Sequence, residues 1–199
     1  MFDHQNYMQE AARIVREEQP YMDTTGWNVK IERLVSPPKS CDVVYPAAVV
    51  HRLSDEENGG QHVCFVDVVD LGGNRLREEG IRISNVNGYS NVIYPDKPDA
   101  EAGTNFVLNK DDRWTVSHQR VSCSDVVTDI NSWLPEVMKS SGLYHYSFYI
   151  VFVKAEEHNP VDPPIDPPPA DDSVRVHTKT SIFINDELVS ELEMEETYP

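Results

Sequence analysis

The side chains best suited to chemistry in this chain are its histidines and its clustered carboxylates. His51, His62 and His118 lie on separate stretches of strand character. A sandwich sets strands distant in sequence side by side, so three imidazoles could converge on a metal. His145 stands between Tyr144 and Tyr146 in a strongly strand-like run, where a half-buried histidine with a satisfied hydrogen bond is expected. Carboxylates gather at Asp55-Glu56-Glu57-Asn58, at Asp96–Glu101 and at Asp111-Asp112. Loop oxygens of this kind suit calcium, but the alternating D-x-D-x-[DN]-G spacing is absent, and solvated turn acids are the expectation. The chain has no G-x-S-x-G, P-loop, G-x-G-x-x-G, H-E-x-x-H or CxxC motif. With no readable nucleophile–base pair, the expectation is a protein that is not an enzyme and needs no metal or cofactor.

A different chemistry is written in NVNGYSNVIYPDKPDAEAGTN, residues 85–105. Aromatic rings stack on the C–H face of a sugar, and amides satisfy its hydroxyls. Tyr89, Asn91, Tyr94, Asp96 and Asn105, with Trp114 and Trp133 able to extend the platform, are therefore the candidate ligand-binding residues. The alternative for these aromatics is to anchor a long loop to the body.

Positioning them requires a framework, and the pattern predicts a β-rich one. HVCFVDVVD (62–70) and LYHYSFYIVFVKA (143–155) are the strongest strands, rich in β-branched and aromatic residues. In the second, Phe148, Ile150 and Phe152 face one way and Tyr149, Val151 and Val153 the other. Weaker strands are expected at Trp27–Val35, Val43–Leu53, Arg75–Ile83, Asn105–Leu108 and Trp114–Cys123. Pro46 marks the second of these as an edge strand or a bulge. Asn85–Thr104 reads as a long loop, and 124–139 as a short helix or turn broken at Pro135. Residues 3–18 form a helix capped by Asp3, with Tyr7, Ala11, Ile14 and Val15 on one face; that stripe must pack on the body, a partner or symmetry mates. Strands at this density, separated by Gly/Pro turns, predict an antiparallel β-sandwich or jelly roll. The three cysteines, Cys41, Cys64 and Cys123, make neither a disulfide framework nor a zinc site. Cys64 is expected in the core, and a Cys41–Cys123 bridge stays open.

The tail differs in kind. HNPVDPPIDPPPADD (158–172) can form neither helix nor central strand and suits polyproline II. Beyond it, Val174–Ile184 and Glu187–Glu195 read as a hairpin around Asn185-Asp186. The organisation expected is a helix and lead-in strand (1–40), a sandwich body (41–157), a spacer (158–173) and an acidic hairpin arm (174–199). Net charge is −17, from 34 acidic and 17 basic residues. Residues 156–199 hold 12 acids and 2 bases, or −10, which leaves −7 for the rest. Nucleic acid is disfavoured, because phosphate contact needs a basic face. No run approaches a membrane span, and the N-terminal stretch lacks the basic start and apolar core of a secretory leader.

Three segments, HVCFVDVVDLGGNRL, YPDKPDAEAGTN and YHYSFYIVFVK, resemble a β-sandwich module of phage and bacterial proteins, sometimes found next to cell-wall hydrolases. The likeness spans roughly residues 43–155 and touches Asp67, Asn74, Asp96-Lys97-Pro98, Gly103, Asn105, His145, Ser147 and Tyr149. NVNGYSN stands here where that module carries a tryptophan-rich segment. The resemblance implies a non-catalytic module, with carbohydrate binding as one role. The helix and the acidic arm lie outside it and look like docking extensions of virion accessory proteins. The expected function is a bacteriophage virion structural protein located in the particle: a capsid cement or decoration protein, or a fibre or adaptor. Its partners would be a major capsid or tail protein and its own copies, as a trimer or dimer. Partner contacts are expected from Tyr7, Ala11, Ile14 and Val15 on the helix and from Pro163, Pro164, Pro167, Ile182 and Ile184 on the arm. The alternative is a carbohydrate-binding module for host-surface glycans.

Overall fold

A computed structural model describes residues 2–25, 29–109, 112–132 and 146–156, and the backbone of 174–184 and 187–198. The chain divides into two compact units, Met1–Glu157 and His158–Pro199. The first is a two-sheet sandwich with a helix on one side. One sheet runs β1 (Met22–Asp23), β4 (Ala47–Arg52), β11 (Phe148–Val153), β5 (Val63–Val69), β8 (Thr104–Val107). The other runs β2 (Lys30–Glu32), β10 (Val126–Ile130), β9 (Trp114–His118), β6 (Ile81–Asn85), β7 (Ser90–Ile93). A small pair, β3 (Val43–Val44) with β12 (Ala155–Glu156), stands apart.

The period-two pattern of β11 sets the layering. Phe148, Ile150 and Phe152 lie in the core between the sheets, with Val66 and Val68 of β5 and Ile83, Val116 and Val127 of the second sheet. Tyr149, Val151 and Val153 lie on the opposite face, under helix α1 (His4–Arg16). A central strand buried on both faces reads as a continuous apolar run. The sandwich is mainly antiparallel, but its first sheet is mixed: β11 runs parallel to β5, and β1 parallel to β4.

Helix α1 starts where expected, with the Asp3 carboxylate accepting from the Asn6 backbone N–H at 3.1 Å. Its stripe packs on the chain's own sheet. Ala11 and Ile14 are buried with Phe2 and Met8, while Tyr7 and Val15 pack against the same cluster. These four residues are thus not a free partner-contacting face, because the outer side of β4, β11 and β5 needs an apolar cover. Pro46 precedes β4, and a register shift opposite Val151–Phe152 supplies the bulge.

Other expectations are redrawn. The 85–104 loop contains β7, which returns along β6 as a hairpin. Residues 126–130 form a strand, not a helix or turn; the rest of the 124–139 reading, from 133 on, lies outside the described residues. After Arg75, which makes only an isolated bridge to Val69, the strand does not begin until Ile81. Cys41 and Cys123 are bonded, their Cα atoms 5.6 Å apart, and Cys64 is a buried free thiol.

The described part of the second unit is an antiparallel ladder, β13 (Val174–Ile184) with β14 (Glu187–Tyr198), in the register Val174↔Tyr198 to Ile184↔Glu187. Pro163, Pro164 and Pro167 lie outside the described residues. Ile182 and Ile184 are placed on β13 by backbone alone.

Candidate functional site

Asp67, in the middle of β5, is wholly buried, and such a charge must be paired and hydrogen-bonded. Arg75 Nε donates to its Oδ1 at 2.5 Å, the Tyr149 hydroxyl to its Oδ2 at 2.8 Å, and the Gly103 N–H to its Oδ2 at 2.9 Å. Burial and the neighbouring carboxylate push the Tyr149 hydroxyl well above its ordinary pKa, so it stays a donor. The Arg75 side chain is 3% exposed. Its outer nitrogens donate to the carbonyls of Lys97 (3.2 Å), Pro98 (3.3 Å) and Glu101 (2.7 Å). One guanidinium therefore ties the 97–101 loop to the sheet. Gly103 permits the approach: a Cβ there would collide with Asp67 and come within 2.6 Å of Pro95. Asp70 holds the Gly72-Gly73-Asn74 turn, accepting from the N–H groups of Gly72 and Asn74 at 2.8 Å each.

The loop and the first turn of α1 meet at the Asp99 carbonyl, which His4 (3.0 Å) and Gln5 (3.2 Å) both approach. Two hollows flank this junction. One, of about 620 Å³, is polar and lined by Asn6, Gln9, Asn74, Arg77 and Asp99 among others. The second, of about 450 Å³, has Phe2 and Phe65 on its wall with Lys97, Glu101, Asn105 and Gln61. Asn105 accepts there from the Lys97 ammonium.

Two histidines occupy separate polar clusters. His51 stacks on Tyr7 at 4.8 Å, with Nε2 2.9 Å from the Tyr7 hydroxyl and 3.1 Å from Glu57 Oε2, and Nδ1 2.5 Å from the Thr24 hydroxyl. Burial opposes the Glu57 carboxylate, but donors from Ser54 and His51 hold its pKa at about 2. Burial and Glu57 push Tyr7 up to about 12. Carboxylate, imidazole and hydroxyl stand in the order of an acyl-transfer relay. However, the N–H of Thr24 already donates to the Val50 carbonyl and that of Thr25 to Asp23, so neither is open to an oxyanion. The cluster fastens α1 and the Ser54 turn to β4.

His118 lies in the other sheet, fully buried and stacked on Tyr45 at 3.5 Å. Its Nδ1 accepts from the Arg120 N–H at 3.2 Å, which leaves Nε2–H to donate to Glu79 at 3.1 Å. Lys154 also donates to Glu79, at 2.6 Å. Burial lowers the His118 pKa to about 4, against the pull of Glu79. Burial opposes Glu79 too, but Lys154 and His118 keep it below its ordinary value. His51 and His118 thus do not converge, His145 lies outside the described residues, and no metal-holding group of His, Cys, Asp and Glu occurs among those described.

The sequence-derived ligand residues divide between the sheets. Tyr89 and Tyr94 are 48% and 44% exposed, and Asn91 donates to the Tyr89 hydroxyl at 3.3 Å. Asp96 is exposed on the connection between sheets. Trp114 is not a platform: it is 6% exposed, packs on Phe106 at 4.8 Å and meets Tyr89 edge-on. It shares the inward face of β9 with Val116 and His118, and this alternation was its available signal. Asn105 belongs to the Lys97 hollow instead. Trp133 lies outside the described residues. Of the loop acids, Asp55 to Glu57 form a capped helical turn and Asp99 pairs with Arg77 at 2.5 Å.

No family model, curated protein or solved structure matches the chain. The functional reading therefore rests on the chain's own architecture.

Proposed function

We propose that the chain is a non-enzymatic assembly protein of a bacteriophage particle, a capsid cement or decoration protein or a fibre or adaptor. In this reading the disulfide-linked sandwich is the exposed body and the arm docks on neighbouring virion proteins. The observation that carries the reading is the arm. It forms a compact unit of its own, whose ladder has no third strand among the described residues. A lone two-stranded hairpin is marginal in water, and its unpaired edges invite a further strand. The Cys41–Cys123 bond supports a working place outside a reducing cytosol. The test is the mass of the full chain in solution beside a chain ending at Glu157. An arm-dependent dimer or trimer supports the reading; compact monomers of both would sink it.

A second reading, a carbohydrate-binding module, draws on the exposed Tyr89 and Tyr94 with Asn91 beside Tyr89. A glycan array with Tyr89→Ala/Tyr94→Ala as control tests it, and the absence of Tyr-dependent hits removes it.

A further inference from the structure

Resting on the assembly reading above, we propose that the partner of the arm is a second copy of this chain, with β13 of one copy pairing alongside β14 of the next. The argument is electrostatic and comes from the two outer edges of the hairpin, which pair with no further strand among the described residues. Strand β13 carries Arg175 and Lys179 and no acid; β14 carries Glu187, Glu191, Glu193, Glu195 and Glu196 and no Lys or Arg. The register places Lys179 opposite Glu193 and His177 opposite Glu195 within one hairpin. Residues directly opposite on neighbouring strands stabilise a sheet when their charges oppose and destabilise it when they match. Pairing β14 with another β14 sets glutamates against glutamates, and pairing β13 with β13 sets cations against cations. Both two-fold arrangements are thus disfavoured, while β13 against β14 repeats the opposition already present inside the hairpin. The association is head-to-tail, a heterologous contact that forms a ring where its rotation closes and a filament where it does not, rather than a two-fold dimer. Closure leaves no edge exposed.

The experiment uses the full chain and native mass spectrometry. One variant, Arg175→Glu/Lys179→Glu, makes β13 acidic. The other, Glu191→Lys/Glu193→Lys/Glu195→Lys, makes β14 basic. Each alone repels its own copies and is expected to run as a monomer. Mixed, the acidic arm of one meets the basic arm of the other, and mixed oligomers return. This recovery separates edge pairing from damage to the hairpin, because both variants carry the like-charge defect inside their own ladder. If both variants keep the oligomer, or if the mixture stays monomeric while the unaltered chain is oligomeric, edge pairing is overturned and the assembly reading stands. If the unaltered chain is itself a monomer, both are overturned.

Discussion

Removing the Cys41–Cys123 bond should cost the body several kcal/mol. The bond closes a segment of 82 residues. A cross-link of that span removes loop-closure entropy from the unfolded chain equivalent to about 4.5 kcal/mol at 25 °C, and measured losses for native disulfides run about 2–5 kcal/mol. The Cys41→Ala/Cys123→Ala variant keeps both sites apolar, as Cys41 and Cys123 are almost fully buried, so the comparison isolates the covalent link. All three tryptophans precede residue 157, so their fluorescence in urea follows the body and not the arm. With an m-value of about 1–3 kcal/mol/M, a loss of about 4.5 kcal/mol should lower the midpoint by about 1.5–4.5 M. The bond itself is checked first: alkylation of the unfolded, unreduced chain should label one thiol, Cys64, and three after reduction. Three labels without reductant, or a loss under about 1 kcal/mol in the variant, would refute the reasoning.

Arg75→Met leaves Asp67 buried without its cation and frees the 97–101 carbonyls. It should cost about 3–5 kcal/mol in the same assay and expose that loop to proteases, whereas a loss under 1 kcal/mol would show that Asp67 is adequately satisfied by Tyr149 and Gly103. Gly103→Ala should lose about 1–3 kcal/mol by overpacking against Asp67 and Pro95, and an unchanged midpoint would count against the close approach. The pKa of His118 is about 4 when folded, against about 6.5 for an ordinary histidine. The unfolded chain therefore takes up this proton first as the pH falls. Stability should be complete above pH 6.5 and decline by up to about 1.4 kcal/mol per unit toward pH 4. His118→Gln should flatten that slope in a urea series across pH; an equally steep slope in the variant would assign it to other groups.

How much of this was readable depended on whether the signal was local. The alternation in 148–153 announced a strand with two apolar faces, and both cores exist because side chains on a strand alternate without regard to what lies beyond. The helix stripe and its Asp3 cap were legible for the same reason. What the stripe covers was not, since the choice between its own sheet and a neighbour lies in the third dimension. The parallel pairing of β11 with β5 joins segments about 80 residues apart and leaves no mark in either. Strands β7 and β10 are short; β7 sits among Asn and Gly and read as loop, and β10, among Ser and Asp, read as a helix or turn, until β6 and β9 supplied partners. Cysteine spacing gave no connectivity, because only the fold brings 41 and 123 together. Arg75 was one cation among 17, and nothing beside it in sequence indicated that it would enter the sheet.

The residues singled out in the sequence at Asp67, Asn74, Lys97, Gly103, Asn105, Ser147 and Tyr149 have a physical meaning of their own. Gly103 and Tyr149 both donate to Asp67; Lys97 donates to Asn105; Asn74 closes the turn that feeds Arg75 into the sheet; and Ser147 accepts from the Val63 N–H at 3.1 Å. Every one of these contacts holds the 94–105 connection or the ends of β5 and β11. A chain with the same residues at the same spacings would acquire the same loop framework whatever it bound, because the pattern satisfies a buried carboxylate and not a ligand. Such a pattern specifies a scaffold, and function is read from what the scaffold leaves open. Here that is Tyr89 and Tyr94 on the body, the two hollows beside α1, and the oppositely charged edges of the arm. The arm differs from the others in that a lone two-stranded ladder is marginal in water, whereas the body already buries two apolar clusters, one of them under its own helix. Assembly through the arm is for that reason the stronger reading, and the exposed tyrosines are the weaker one.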